Sequence, residues 1–500
     1  MPINFRQQFD LILDHPQLRF LIEVAKTLPA AEWFMVGGAV RDVALGRVGK
    51  QHDFDLVVRG VSLDEVSVAL GKMGKVSYVG RDFGVLKFWP KGSDHAGQAV
   101  DIAWPRTERA GGSGARRDFE VHSDPDLPIV DDLARRDFTI NAMAWDFQQD
   151  LLLDPFGGLD DLEARLVRAV GRPDERFGED MSRLLRAIRF ACQLDFEIEQ
   201  QTWEALLRRS EHLNDLHEMA DGKTERVVPF EVIAAEFLKA LAANPVRAIE
   251  LFERSGLMFR IWPELGRLEG LDQHSEWHTE GDAWKHTKLA VRRVTGNEFA
   301  AMFAGESLDV ETLVAILLHD IGKAETAVES NGRVSFHGHD ARGAVLARAA
   351  VDRLRLSSVP DYTVRPERIE WLVRNHMFPI LVDLEHVRKT TLCKYFLDDE
   401  LRGRQLLHLS FADLSASLPE QGEPDLSNLD RLLDVIADLK TRCAEVDGVK
   451  LTGEDVMAET GLDAGPDIGR LLEELREAQL SGQALSDEEA KDLLRRKMGK

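Results

Sequence analysis

The chain has 500 residues, of which 44% are hydrophobic and 30% charged, with a formal net charge of −24. This length exceeds what one core can hold and predicts about three or four domains of soluble globular character. Apolar runs such as Leu313 to Leu318 are far too short to span a bilayer. The opening Met1-Pro2-Ile3-Asn4-Phe5-Arg6 lacks the basic-then-apolar pattern of a secretory signal. Three scattered cysteines, Cys192, Cys393 and Cys443, fit reduced thiols and a cytoplasmic location. The acidic balance argues against a uniformly basic nucleic-acid binder, because phosphate contacts supply most of such affinity. Basic residues are dense between Arg165 and Arg189, which predicts a basic cleft on an acidic body and salt-sensitive binding.

Residues 1–32 read as an amphipathic helical arm, with Phe9, Leu11, Ile12, Leu18, Leu21, Ile22 and Val24 apolar. Trp33 to Val36 is an apolar run that stops at Gly37-Gly38, and Ala39 to Leu45 has helix-forming composition. A strand, a tight turn and a helix N-terminus bring backbone N–H groups and a positive dipole end together, which suits a phosphate. Asp53-Phe54-Asp55 then opens a second apolar strand, and residues two apart in a strand share a face. Two adjacent carboxylates repel unless a cation lies between them, and hard oxygens suit Mg²⁺. An isolated Asp-x-Asp pair is usually a solvated turn; the order of features around this one gives it weight. Val76–Val79, Val85–Trp89 and Ala99–Trp104 are further short strands, which makes a small α/β sheet. Asp101 inside the last of them needs a task or a partner, the alternative being a surface residue on an edge strand. Arg106 to Arg109 leads into the glycine-rich Ala110 to Gly114, read as a mobile loop beside the site.

From Asp154-Pro155-Phe156-Gly157-Gly158 onwards the pattern predicts helix almost throughout, beginning with one helix over Asp160–Val167. Asp180, Arg183, Arg186 and Arg189 recur every third residue and are expected on one face of one helix, with Leu184, Leu185, Ile188 and Phe190 packing. Such spacing is usually a solvated salt-bridge face. Three arginines with one acidic partner are unbalanced, however, and invite phosphates or a base edge. Glu225 to Ala240 and Asn244 to Leu257 continue as helices. Farther on, His286, His319-Asp320, His339, His376 and Asp413 come from several helices. A lone histidine is more often a surface or satisfied core residue, but imidazoles and carboxylates gathered this way suit a first-row metal. An acidic linker, Leu418 to Asp430, precedes a tail carrying Val449 to Met457 and Gly465 to Leu472.

Three blocks carry a resemblance. They are Phe34 to Asp42 with Asp53-x-Asp55, then Arg135-Arg136-Asp137-Phe138-Thr139-Ile140-Asn141-Ala142, then Glu179-Asp180-x-x-Arg183-x-x-Arg186-Ala187-x-Arg189-Phe190. Together they resemble the class II tRNA nucleotidyltransferases, or CCA-adding enzymes, and the bacterial poly(A) polymerases. The resemblance implies an α/β nucleotidyltransferase head followed by an all-α neck, body, HD domain and tail. Its boundaries are an arm over 1–32, a head over 33–155, a neck over 156–225, an RNA-binding body over 226–270, an HD domain over 271–415, and a linker with tail over 416–500. It implies catalytic carboxylates at Asp53, Asp55 and Asp101, with Mg²⁺ on the first two and hydroxyl activation by the third. It gives Gly37, Gly38, Arg41 and Arg136 to the nucleotide, and Asp180 with Arg183 to the base, completed by Arg186 and Arg189. Asp137 is expected to brace the head. The later histidines resemble the HD phosphohydrolases, whose ligand order maps onto His286, His319, Asp320 and Asp413, with His339 and His376 as the extra ligands of two-metal members. A divalent transition metal is implied there.

The expected function is template-independent addition of CCA to the 3′ end of tRNA from CTP and ATP, with a second, phosphohydrolase activity in the HD domain and no membrane partner. A poly(A) polymerase, or an enzyme adding CC or A alone, shares the head and neck blocks. The alternative from another class is an HD phosphohydrolase whose head merely binds RNA. The HD region and tail weigh against poly(A) polymerase, and the three head carboxylates weigh against the last reading.

Overall fold

Seven strands of the first half pair in one sheet, in the order Gly74–Val79, Val85–Pro90, Val100–Ala103, Asp55–Arg59, Glu32–Val36, Ala144–Asp146 and Leu151–Leu153. The computed structural model describes all residues except 1–8, 10–14, 48–53, 80–83, 92–98, 112–113, 116–118, 219–221, 274–277, 307, 331–332, 422, 447–450, 484–485 and 499–500. The chain divides into two units, Met1–Ile261 and Trp262–Lys500, a boundary that falls inside the 226–270 segment.

Strand β1 (Glu32–Val36) is buried from Trp33 onwards because it runs mid-sheet, with β2 (Asp55–Arg59) on one side and β8 (Ala144–Asp146) on the other. Nearer the edge, β4 (Val85–Pro90) alternates buried and half-buried residues between β3 (Gly74–Val79) and β5 (Val100–Ala103). The β2–β5 pair is parallel, whereas β1 runs antiparallel to both of its neighbours. Strands β8 and β9 (Leu151–Leu153), each three residues long, were not legible in the sequence pattern. Helix α1 (Phe20–Thr27) buries Phe20, Leu21 and Val24 but leaves Ile22 53% exposed. Leu11 and Ile12 of the expected arm lie outside the described residues, while Phe9 stacks on Trp145 at 3.9 Å.

Several expectations are corrected. The segment leading into the expected loop is a strand, β6 (Arg106–Ala110), which takes in Ala110 and pairs antiparallel with β7 (Phe119–Ser123). Gly112 and Ser113 lie outside the described residues. Gly114 has φ +73°, and its carbonyl accepts the Met181 N–H at 3.0 Å. The helix expected over Asp160–Val167 is Gly158–Ala164, stopped by Arg165 at φ +57°. Leu166–Val167 then pairs in parallel with Glu197–Ile198. Glu225 lies in a two-stranded ribbon, Thr224–Arg226 against Leu216–Glu218. The body helix starts only after Pro229, whose ring cannot continue a helix from its N-terminal side.

The second unit is mainly helical. Its hub is the helix Val310–Leu318, buried at every position from Glu311 to Leu318, which explains the apolar run there. Around it lie Ala283–Arg293, His339–Arg353, Pro366–Asn375, Lys389–Phe396 and Glu400–Ala416. The helix Ser427–Val446 absorbs the end of the expected linker. The tail helices Gly453–Thr460, Pro466–Leu480 and Asp487–Lys497 share a core of Val456, Ile468, Leu475, Ala478, Ala490 and Leu494. Among the described residues no helix is long and apolar enough to cross a membrane.

Candidate functional site

Strand β1 ends at Val36 and turns through Gly37, at φ +75°, into the helix α2 (Gly38–Ala44). A side chain at Gly37 would be strained, and its Cβ would sit 2.9 Å from Arg136 Nη1 and 3.6 Å from Asp55 Oδ2. The sheet register sets Val36 opposite Asp55, and Asp55 beside Asp101. Paired residues on adjacent strands point to one face, so Asp55 and Asp101 stand together next to the turn. Asp53 lies outside the described residues. Lys87, opposite Asp101 in the register, brings its Nζ to 3.0 Å from Asp101 Oδ1. Sequence reasoning missed this partner; its signal is the strand alternation that puts Lys87 on the site face.

A cleft of about 760 Å³ opens here, lined by Gly37, Gly38, Arg41, Asp55, Asp101, Arg106, Arg136, Asn141, Asp180, Arg183, Arg186 and Phe190. Glu231, Glu236 and Lys239, on the helix α3 (Phe230–Ala243), complete it and were also missed. Arg41 is held by Asn141 Oδ1 and Asp42 Oδ1, both at 2.9 Å. Arg136 donates to the fully buried Asp132 at 3.1 Å, while its Nε is buried without a hydrogen-bond partner. Burial resists charge on Asp132, but Arg136 and Arg135 outweigh it and keep the carboxyl below its usual range. A guanidinium whose Nη1 lies beside a glycine turn is where an acceptor oxygen such as a phosphate fits.

The arginine stripe is corrected. Asp180 precedes the neck helix (Ser182–Leu194) in extended conformation, and its Oδ1 accepts the Ser182 N–H at 2.8 Å. It therefore does not share a helical face with the arginines. Nor do these lack acidic partners. Arg183 binds Glu179, Arg186 binds Asp137 and Arg189 binds Glu236, as Arg165, Arg168, Arg172 and Arg176 bind Asp195, Asp161, Glu175 and Glu179. Among the described residues the cleft wall carries as many carboxylates as basic side chains, so the expected basic cleft is locally balanced. The reason is tertiary: Asp137 and Glu236 lie far from the stripe in sequence. Asp137 is buried, which resists its charge, yet Arg186 dominates and holds it at about 2. Arg189, bound to Glu236 and Gln193, is absent from the cleft wall.

In the second unit His286, His319, Asp320, His339, His376 and Asp413 come together. His286 Nε2 lies 3.1 Å from Asp413 Oδ1, and His319 Nε2 lies 3.2 Å from Asp320 Oδ2. His339 Nε2 is 3.5 Å from Asp320 Oδ1 and 3.2 Å from His376 Nε2. Every Nδ1 is engaged elsewhere: His286 with Glu280, His319 with the Ile316 carbonyl, His339 with the Phe336 carbonyl and His376 with the Val373 carbonyl. An imidazole that donates from Nδ1 presents Nε2 as a lone pair. The four Nε2 atoms converge on two carboxylates. This donor set fits a divalent first-row metal. Burial, then the charge of His319, pushes His376 down to about 4, so it stays neutral at pH 7. Burial also opposes charge on His286, but Asp413 and Glu280 outweigh it and raise it to about 9. Lys323, whose Nζ is 2.7 Å from Asp320 Oδ2, and Glu280 were not predicted. A cavity of about 750 Å³ with Phe336, Met377, Ile380 and Leu381 adjoins the cluster.

A glycine turn facing in-register carboxylates, joined in one chain to a histidine–aspartate cluster on helices, defines a nucleotidyltransferase with an HD domain. Residues 33–168 match the Poly A polymerase head domain family and 294–434 the HD domain family. The multifunctional CCA protein of Alkalilimnicola ehrlichii is 36% identical over 386 residues, covering 74% of this chain and 84% of that protein. That of Methylobacillus flagellatus is 37% identical over 325 residues, covering 65% and 69%. This chain belongs to the multifunctional CCA protein family. Its fold is similar to that of a CCA-adding enzyme in complex with CTP, at TM-score 0.64 and 19% identity over 100% of both chains. The Thermotoga maritima CCA-adding enzyme complexed with tRNA matches at TM-score 0.61 and 20% identity, over 97% of this chain and 96% of that one.

Proposed function

We propose that the first unit adds C, C and A to the 3′ end of tRNA from CTP and ATP, without a nucleic-acid template, in the cytoplasm. The observation that carries this is the Gly37 turn, with Asp55, Asp101 and Arg136 lining one cleft. Magnesium bound through Asp53 and Asp55 would neutralise triphosphate charge. The backbone N–H groups at the start of α2, with Arg136, hold the triphosphate. Asp101 accepts the proton of the attacking 3′ hydroxyl, and Lys87 orients that carboxylate. The displacement is in line, and the protein contributes positioning and charge.

Base choice falls to Asp180 and Arg183. Cytosine and adenine each present an amino donor beside a ring-nitrogen acceptor, whereas uracil and guanine reverse the pattern. Asp180 Oδ1 is taken by Ser182, which leaves the second oxygen as acceptor for the amino group. Arg183 is locked by Glu179 and the carbonyls of Arg176 and Arg135, so it reads the ring nitrogen from a fixed position. An A-form acceptor stem would be recognised by shape and backbone. The test is to incubate the chain with tRNA lacking CCA and each nucleotide, then sequence the 3′ ends. Incorporation of A alone in long runs would show a poly(A) polymerase instead.

The converging Nε2 atoms favour a second activity, hydrolysis of phosphate esters in the HD domain, through His286, His319, Asp320, His339, His376 and Asp413. Divalent transition metals bound there supply the Lewis acidity for that chemistry.

A further inference from the structure

Three of the clustered histidines are oriented in the same way. His319, His339 and His376 each give Nδ1 to the carbonyl three residues earlier. His286 differs. Its Nδ1 lies 2.8 Å from Glu280 Oε1, and that oxygen also receives His278 Nδ1 at 2.7 Å. Among the described residues of the cluster, His286 is the one oriented by a carboxylate.

The other oxygen of Glu280 has a separate task. Oε2 accepts the backbone N–H of Leu418 at 3.1 Å, and Thr279 donates twice to the Leu418 carbonyl, from N at 2.9 Å and from Oγ1 at 3.0 Å. Leu418 lies two residues beyond Glu400–Ala416, the helix that carries Asp413. Glu280 is 3% exposed and so is not exchanged for water. One buried side chain thus ties the first histidine of the cluster to the end of the helix bearing its last carboxylate, and His286 Nε2 and Asp413 Oδ1 meet at 3.1 Å as a result.

We propose that Glu280 is a positioning residue. It holds the His286 ring with Nε2 toward the cluster, fixes the spacing of His286 and Asp413, and so sets the affinity of the cluster for a divalent transition metal. This rests on the cluster being a metal site. A carboxylate acceptor on the far nitrogen fixes the ring and raises the basicity of the ligating one, and removing such partners costs about 10- to 100-fold in metal affinity. A metal held between His278, Glu280 and His286 is the competing reading, since their donor atoms also cluster. It would take His286 Nδ1 out of its hydrogen bond and leave the Nε2 convergence without a partner.

The test uses the full chain and Co²⁺, followed by equilibrium dialysis and by the visible absorption band. Its variants are Glu280→Gln, which keeps the shape and an acceptor oxygen, Glu280→Ala, and the pair His319→Ala with Asp320→Ala. Affinity is expected to fall about 10-fold in the Gln variant and about 100-fold in the Ala variant, with a changed band in both. The metal-free melting point of the Gln variant and nucleotide addition to tRNA stay unchanged. Wild-type Co²⁺ affinity and band in Glu280→Ala overturn the proposal. A loss in Glu280→Gln that merely tracks a lowered melting point also overturns it, in favour of a structural role. If the wild type binds no more Co²⁺ than the His319/Asp320 pair variant, the metal reading fails and the proposal falls with it.

Discussion

In the neck, each arginine from Arg165 to Arg189 meets a carboxylate, whereas in the HD cluster four imidazoles turn Nε2 toward two carboxylates with one lysine among them. The contrast follows from the side chains. A guanidinium is charged at any working pH, and burying it bare is costly, so the fold supplies Asp137, Glu179 and Glu236. A neutral imidazole can be held with its lone pair open at little cost once the other nitrogen is anchored. The cleft's arginines are therefore held by carboxylates of the protein itself. The cluster is preformed for a cation.

The largest effect should come from the carboxylates that stand apart from the neck's balance. Asp55→Ala or Asp101→Ala removes charge at the reacting centre, a loss of several kcal/mol, so CTP incorporation should fall about a thousandfold or more. Circular dichroism should show the fold intact. Near-normal incorporation by either purified variant would place the chemistry elsewhere.

Next, the two regions should separate. His319→Ala with Asp320→Ala should abolish divalent-metal binding and any phosphatase activity of the second unit, because it removes two converging donors. CCA addition should persist, and its loss in a well-folded variant would show that the two sites are not independent.

The neck's neutralisation should appear as acid sensitivity. Asp137 falls from 3.8 to about 2 in the folded chain. Its contribution, about 2 kcal/mol, is complete above pH 3.8 and is lost as pH drops through about 2. Asp137→Asn should lower the melting temperature at pH 7 and flatten its decline between pH 4 and pH 2. An unchanged decline would mean that the Arg186 pair does not stabilise the neck.

The smallest effect tests base reading. A mismatched base leaves buried polar groups unsatisfied, at roughly 1–3 kcal/mol each. Asp180→Ala should thus relax selectivity for CTP over UTP by about ten- to a hundredfold while lowering CTP turnover less. The measurement is kcat/KM for all four nucleotides on tRNA ending at the discriminator base. Unchanged selectivity would return Asp180 to a purely local role at the Ser182 N–H.

Local chemistry was legible from the sequence. Gly37-Gly38 after an apolar run specified the strand, turn and helix, because positive φ and a close backbone approach admit glycine almost alone. The strands at Val76, Val85 and Val100 were readable from short β-rich runs, and His319-Asp320 stood out after the apolar run Leu313 to Leu318. Partnership was not legible. Nothing near Arg186 announces Asp137, nothing near Arg189 announces Glu236, and Lys87 meets Asp101 through strand register. Helix ends misled for the same reason: Arg165 halts a helix by adopting a left-handed conformation, and Asp180 leaves its expected face because the next helix begins at Ser182. A sequence states which charges and donors a chain owns, since those are properties of single residues. Which of them cancel and which stay open depends on distances between segments far apart in the chain, and packing alone decides those.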